Sequence, residues 1–557
     1  MRTLLTTLHS KYIHPSLALP CLAAFCGEDC GELQIDEYTI HQPKENLLAR
    51  ILARAPDVVC FSVYIWNRQL TLELAVALKK AVPHLRVVMG GPEVSFEDAS
   101  FFAACPVDAL ICGEGEIPLR HLLTAWQHGQ EPGPCPGLQL PGMDSGAAGK
   151  CLLETLDLLP SPFAAGLVDL DRGYVYYESS RGCPYRCSFC MSALDERVRS
   201  FSMARIQQDL GLLMQAQVAQ IKFVDRTFNY DAGRSREIIE FILRHNRSSR
   251  FHFEVGADLL DEKSLQLLET VPVEMFQFEI GVQTTSPVTL GRIGRKSSLE
   301  KLEINVRRLL AAGNIHLHLD LIAGLPGESH EDFFASLRRV FAFEPEHLQI
   351  ELVKLLPGSP LRQQAGEMQI YFDPAPPYAV LRTSRLAFSE LEEIRGVGRL
   401  VDLLNNSGRF SYFLQAVDAA FCDRVDFYRK LQDWWCQAGL FDEPGSLRQQ
   451  FDSLTEFVES SIEAPRLREA LARDFALVGR VVPGAAPSFF NSELTPAERQ
   501  QVKLRVKQEL GQLEAGTKLQ HFAAVFETLS KTAQRSLLLY LYRSRSGQSP
   551  TIEEVLL

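Results

Sequence analysis

No apolar run in this 557-residue sequence is long enough to span a bilayer. The opening Met1-Arg2-Thr3-Leu4-Leu5 carries no long apolar segment and no small-residue cleavage site, so no secretory leader is expected. Basic charge is also in short supply: 57 Lys and Arg stand against 69 Asp and Glu, a formal net charge of −12. That balance excludes broad non-specific nucleic-acid binding, which needs a basic face, though not a local basic patch. Paired cysteines are missing as well. The 13 cysteines are an odd set. Most stand alone in apolar stretches, such as Cys60 in Val58-Val59-Cys60-Phe61 and Cys112 in Leu110-Ile111-Cys112, and read as small buried hydrophobes in a reducing cytoplasm. Cys21, Cys26 and Cys30 lie on and just after an expected helix and read as core packing, and Cys422 and Cys436 alone do not make a second metal centre.

Where cysteines do gather, a fourth is absent. Arg181-Gly182-Cys183-Pro184-Tyr185-Arg186-Cys187-Ser188-Phe189-Cys190 has the spacing C-x3-C-x2-C. Structural zinc sites close with four ligands, and ferredoxin clusters use four cysteines each. Three thiolates can hold a [4Fe–4S] cluster and leave one iron open to a small molecule. The alternative is a zinc knuckle with a distant fourth ligand. Gly182 allows a tight turn, and Tyr185 and Phe189 can shield a cluster from water.

Hydrophobic content of 46% and charged content of 23% are those of a globular protein, and the length suggests about three domains. Residues 1–131 alternate strand-like runs (3–8, 33–40, 57–65, 86–89, 109–112) with helix-like stretches (16–25, 46–55, 69–81). The central runs are continuously apolar, as in a parallel sheet covered on both faces, which predicts a doubly wound, Rossmann-like α/β domain. Its ligands bind beyond the carboxyl ends of the strands. There lie His9-Ser10-Lys11-Tyr12, Tyr64-Ile65-Trp66-Asn67, Gly90-Gly91-Pro92-Glu93 and Gly113-Glu114-Gly115-Glu116. Gly90 and Gly91 let a bulky ligand touch the backbone.

Residues 132–172 are rich in Pro and Gly and read as a linker with some local structure. Residues 173–370 alternate strands and helices again, predicting a partial (β/α) barrel. In four strands one face is polar: His252 and Glu254; Gln277, Glu279, Gly281 and Gln283; His316, His318 and Asp320; Gln349 and Glu351. The apolar faces can pack on outer helices, so the polar faces line the lumen, as in a chamber for a polar ligand. His316, His318 and Asp320 are about 7 Å apart per step along one strand and do not converge on one ion. Residues 371–557 open with Asp373-Pro374-Ala375-Pro376-Pro377 and carry amphipathic helical stretches at 383–395 and 498–513. They predict a mainly helical domain, either a cap over the barrel mouth or a packing domain.

The cysteine loop resembles that of the radical S-adenosylmethionine (SAM) superfamily. With Gly90-Gly91 and Gly113-Glu114-Gly115-Glu116 upstream, the chain is similar to the cobalamin (B12)-binding enzymes of that superfamily. The resemblance implies a [4Fe–4S] cluster on Cys183, Cys187 and Cys190, SAM chelating the open iron, and cobalamin held along residues 1–131 by the loops of Gly90, Gly91 and Glu114. It implies Asp225 against the SAM amino group, Glu279 and Gln283 at the ribose, and the turn at Gly324 beside the adenine. Many cobalamin domains carry D-x-H-x-x-G after the first strand; here Thr7-Leu8-His9-Ser10-Lys11-Tyr12 keeps the His without the Asp or the Gly. A metal-bound His needs a second acceptor, so cobalamin with no protein His beneath it is expected.

The implied function is C-methylation of an unactivated carbon through a 5′-deoxyadenosyl radical and methylcobalamin, by a cytoplasmic enzyme. The substrate would be a small molecule or peptide, and the electron donor a flavodoxin or ferredoxin. The alternative keeps both cofactors without methyl transfer, as a cyclase, oxidoreductase or ring-contracting enzyme. A tRNA methylthiotransferase is disfavoured because a second three-cysteine set and a basic C-terminal domain are lacking. A cobalamin carrier is disfavoured by the intact cysteine triplet. No catalytic residue is assigned.

Overall fold

A computed structural model of the chain describes all residues except 12–13, 143–150, 196, 422, 444, 460–462, 515, 529–534, 546 and 548–549. It divides into two compact units, Met1–Phe333 with Leu352–Phe388, and Phe334–Glu351 with Ser389–Leu557.

The first unit opens with a sheet of β1 (Arg2–His9), β2 (Glu32–Thr39), β3 (Val58–Ser62), β4 (Arg86–Gly90), β5 (Ala109–Ile111) and β6 (Leu138–Gln139), in spatial order 2-1-3-4-5-6. β1 to β5 are parallel and β6 is antiparallel. Alternate residues feed two cores. Leu4, Leu8, Val59, Phe61 and Met89 pack with Leu47, Ile51, Leu74 and Leu78 of the helices Lys44–Ala53 and Arg68–Ala81. Leu5, Val58, Cys60, Val88 and Ile111 pack with Leu19, Ala23, Leu119 and Leu122 of the helices Ala18–Cys26 and Glu116–Gln127. This is the doubly wound architecture expected from continuous apolar strands. Cys26 and Cys30 are buried in the second core, where the Cys30 thiol lies 3.4 Å from the Cys26 carbonyl oxygen. The Pro- and Gly-rich stretch does more than link, because β6 completes the sheet edge from within it. Cys422 lies outside the described residues.

A second parallel sheet follows, built from β7 (Tyr174–Tyr177), β10 (Gln220–Phe223), β11 (Arg250–Glu254), β12 (Phe276–Gln283) and β13 (His316–Ala323), in order 7-10-11-12-13. Between β7 and β10 sit two short strands, β8 (Ser180–Arg181) and β9 (Arg199–Ser200). The predicted alternation is present. On β12 Phe276, Phe278, Ile280 and Val282 are buried, and Gln277, Glu279, Gly281 and Gln283 are partly open. The buried face is a mesh of rings: Phe223 lies 4.6 Å from Phe253, and Phe253 lies 5.2 Å from Phe276. β14 (His347–Leu352) carries Gln349 and Glu351 as exposed residues.

The second unit is mainly helical, as expected, with helices Ser411–Ala420, Arg424–Gln437, Leu447–Val458, Ala464–Val478 and Pro496–Gly511. Its core is aromatic, with Phe451 stacked 4.5 Å from Phe410 and edge-on to Phe475 at 5.0 Å. It ends in an antiparallel three-stranded sheet, Lys518–Phe526, Ser536–Ser544 and Thr551–Leu556, which the sequence reading did not resolve. Among the described residues no helix is long and apolar enough to cross a membrane.

Candidate cofactor-binding active site

The cysteine loop leaves the barrel after β7 and returns through β9. Its neck is the antiparallel pair of β8 and β9, with Ser180 opposite Ser200 and Arg181 opposite Arg199. Gly182 adopts φ +96°, and a Cβ there would collide with the Arg197 carbonyl oxygen, so the turn needs glycine. Each thiol meets a donor. Cys183 Sγ lies 3.3 Å from the Thr227 hydroxyl, Cys187 Sγ accepts from Arg295 at 3.8 Å, and Cys190 Sγ accepts from the Ser192 N–H at 3.4 Å. Arg295 also lies over the Tyr185 ring at 4.4 Å, and the Tyr185 hydroxyl donates to Asp258 at 2.7 Å. Burial pushes the Cys183 and Cys187 thiols up, and the neighbouring cysteines push them the same way.

All described cysteines are free. Among the described residues no three His, Cys, Asp or Glu side chains converge on one ion position. Three thiols on one glycine-turned loop, with N–H, hydroxyl and guanidinium donors around them, nonetheless fit a cluster of soft-ligand iron. Arg295 would offset its negative charge.

Asp225 is fully buried. Its Oδ2 accepts from the Ser179 N–H at 3.0 Å, and its Oδ1 accepts from the hydroxyls of Ser179 and Ser180. Burial pushes this carboxyl up despite those bonds. The carboxylate thereby fixes the start of the neck. Glu279 accepts from His252 Nε2 at 3.1 Å and has Lys222 Nζ at 3.9 Å. The His252 bond holds it below the usual carboxylate range. Gln283 lies on the same polar face of β12, past a break in register after Gly281, with its side-chain amide turned back toward Gly281. Gln283 sits at the mouth with φ +68°, and its Oε1 is buried without a hydrogen-bond partner among the described residues. Gly324, at φ +84°, turns the chain after β13 beside the buried Glu328, whose carboxyl burial pushes up to about 8.

A cavity of about 790 Å³ opens at the carboxyl ends of β1, β3, β4 and β5, within the range of cofactor sites. Its lining includes His9, Trp66, Gly90, Gly91, Phe96 and Glu114 from the first domain, and Arg181, Gly182, Ser192 and Arg226 from the barrel domain. Gly90 and Gly91 do reach it. Gly91 has a further reason to be glycine: φ is +105°, and a Cβ would sit 2.6 Å from the Val63 carbonyl oxygen. Trp66 is 43% exposed, stacks on Tyr64 at 4.7 Å, and donates from Nε1 to the Leu8 carbonyl at 2.9 Å. The pair makes a flat apolar wall suited to a macrocycle. His9 lines the cavity with its Nε2 3.6 Å from Glu37 Oε2, so a carboxylate does stand behind it, from β2 rather than from the missing Asp.

Glu114 lines the cavity and is gripped by arginines of the neck. Arg199 binds it through Nη2 at 2.5 Å and Nη1 at 3.1 Å, Arg181 Nη1 lies at 3.3 Å, and the Leu153 N–H donates at 2.8 Å. Arg181 also reaches Glu116 at 2.6 Å and Glu178 at 2.9 Å. Sequence reasoning missed these arginines along with Thr227 and Arg295. Only the position of Arg181, beside the cysteine loop, gave a hint.

The fold joins a doubly wound domain with a cavity at its strand ends to a barrel-like parallel sheet that carries the three-cysteine loop. Comparison with known proteins agrees. Residues 4–123 match the B12 binding domain and residues 177–340 the radical SAM superfamily, so the chain carries a B12-binding domain followed by a radical SAM domain. Residues 366–534 match a family described only as a protein of unknown function, DUF4080. The chain is 30% identical over 302 residues to the cobalamin-dependent radical SAM methyltransferase TokK of Streptomyces tokunonensis, covering 50% of this chain and 44% of that protein. It is 29% identical over 327 residues to the 2-(S-pantetheinyl)-carbapenam-3-carboxylate methyltransferase of Streptantibioticus cattleyicolor, again covering 50% and 44%. The match thus spans less than half the length of these relatives. In fold it is similar to the cobalamin-dependent SAM radical enzyme OxsB with aqua-cobalamin bound, with a TM-score of 0.58, 16% identity, and 86% and 84% of the two chains covered.

Proposed function

We propose that the protein methylates an unactivated carbon of a small molecule or peptide, with a [4Fe–4S] cluster on Cys183, Cys187 and Cys190, SAM on its open iron, and cobalamin in the cavity. The observation that carries this reading is the shared wall: one cavity is lined both by the strand-end loops of the first domain and by the cysteine loop. Bound there, cluster and SAM supply a carbon-centred radical, and cobalamin supplies a methyl group. The chain's own residues orient and shield. Gln283 offers its unpartnered Oε1 to the ribose, and the turn at Gly324 leaves backbone beside the adenine. Tyr64, Trp66 and Phe96 exclude water from the corrin side. Arg295 holds Cys187 and balances charge. A reducing cytoplasmic setting and a flavodoxin or ferredoxin as electron donor suit an oxygen-sensitive cluster.

The test is anaerobic reconstitution with iron, sulfide, cobalamin and SAM, addition of a low-potential chemical reductant to supply the electrons, and mass analysis of candidate metabolites. The expected product gains one methyl group, and both 5′-deoxyadenosine and S-adenosylhomocysteine accumulate. A radical product with no added carbon would assign the enzyme to cyclisation, oxidation or ring contraction instead. Replacing all three cysteines by Ala should abolish SAM cleavage; persistent cleavage would remove the cluster from the proposal.

A further inference from the structure

Two arginines, one from each strand of the neck, close on a single carboxylate of the neighbouring domain. Arg181 and Arg199 face each other in the β8–β9 ladder, and both bind Glu114. Arg199 is buried and also donates to the Leu153 carbonyl at 2.8 Å. Glu114 thereby takes the Leu153 N–H and both guanidinium groups. Burial pushes its carboxyl up, yet the Arg199 bond and the Arg181 charge hold it below the usual range. Gly113 and Gly115 flank it, and the loop 113–116 and the neck line the same cavity.

We propose that Glu114, Arg181 and Arg199 form a positioning clamp that couples occupancy of the cavity to order in the cysteine loop. A ligand seated against residues 113–116 fixes Glu114, and Glu114 fixes both strands of the neck from which the thiols project. A cluster on the thiols fixes the same neck from the other side. Linkage makes the effect reciprocal, so each cofactor tightens the other by one common factor. This rests on the cofactor reading above. The geometry is specific to arginine, since a planar fork spans two carboxylate oxygens and an ammonium does not.

The experiment titrates aquacobalamin into the full-length chain under anaerobic conditions, with and without prior reconstitution with iron and sulfide, and follows the visible spectrum of the corrin. In the wild-type chain the cluster should tighten cobalamin by about 5- to 20-fold. Glu114→Gln should bring that factor to about 1–2, whatever it does to the cluster-free affinity. Arg199→Lys, which keeps the charge but loses the fork, should fall between; it carries the test if Glu114→Gln fails to fold. A wild-type factor of one, or a factor unchanged in the variants that fold, overturns the clamp. A purely structural role predicts loss of affinity with the factor intact, which also overturns it. Failure of the wild-type chain to take up iron or cobalamin overturns the cofactor reading and the clamp with it, whereas uptake of both without coupling sinks the clamp alone.

Discussion

Asp225 and Ser179 share two hydrogen bonds, with the carboxylate accepting from the Ser179 N–H at 3.0 Å and from its hydroxyl at 2.6 Å. Arg234 braces the same serine from behind, donating to its carbonyl at 2.8 Å. At the next residue, Ser180, the neck of the cysteine loop begins. The barrel thus holds the loop through a buried carboxylate, while the first domain holds it through Glu114.

Replacing that carboxylate should therefore read out as lost structure before lost ligand. Asp225→Asn removes a charged acceptor of three hydrogen bonds and turns an amide N–H toward donors. The expected cost is about 2–3 kcal/mol in urea unfolding, with less iron retained per chain after reconstitution. SAM affinity should fall no further than the iron content does. A selective loss of SAM binding with stability intact would instead assign Asp225 to the SAM amino group.

The lumen carries a titration that stability measurements can see. Burial pushes the Glu254 carboxyl from 4.5 up to about 7; Arg226 and Lys222 pull it down, and Glu279 and Asp225 push it up. A carboxyl whose folded-state value is raised contributes stability that is complete below its unfolded value and is lost as pH rises through the folded value. Wild-type stability should fall between about pH 4.5 and about pH 7 from this group, by up to about 3 kcal/mol. Glu254→Gln should flatten that slope, so the variant gains on the wild type as pH rises. Parallel pH profiles for the two chains would contradict the assignment.

How much of this was readable in the sequence depended on how local each signal is. The β12 run Phe276-Gln277-Phe278-Glu279-Ile280 states its two faces in its own alternation, and the structure buries the phenylalanines and leaves the polar residues partly open. The glycines of the cysteine loop and of the strand ends sit where turns demand them. Glu114 is the opposite case. Its partner Arg199 lies 85 residues away, and no local pattern says that a Gly-Glu-Gly-Glu loop meets a strand of another domain. The same holds for Glu279 and Gln283: face is legible from alternation, whereas height along the lumen is set by the register between strands. The central strand of the last sheet, Ser536–Ser544, with its apolar run 537–542, fits a helix or a strand equally well until its antiparallel partners are seen.

The stacked pair Tyr64 and Trp66 should contribute to cobalamin retention. The rings are nearly parallel, with 4° between planes, and Trp66 is fixed by its bond to Leu8. Trp66→Ala should weaken aquacobalamin binding by about tenfold, near 1.4 kcal/mol, measured by equilibrium dialysis. Trp66→Phe keeps the apolar face and should lose less. Equal affinity in all three chains would move the corrin away from this wall.

Gly182 tests whether the neck must be closed for iron to bind. Its φ of +96° suits glycine, and a methyl group would strike the Arg197 carbonyl on the returning strand. The strain cannot relax locally, because Arg181 is held by Glu114, Glu116 and Glu178 and Ser180 is held by Asp225. The only freedom left is to part β8 from β9. Gly182→Ala should therefore leave helix content by circular dichroism unchanged and cost about 1–3 kcal/mol of stability. Cluster iron after reconstitution should drop to less than about half, although all three cysteines are present. A chain that takes up a full cluster with Ala at this position would show that the thiols can gather without a closed neck, and that the loop is shaped by its metal rather than by the two domains that grip it.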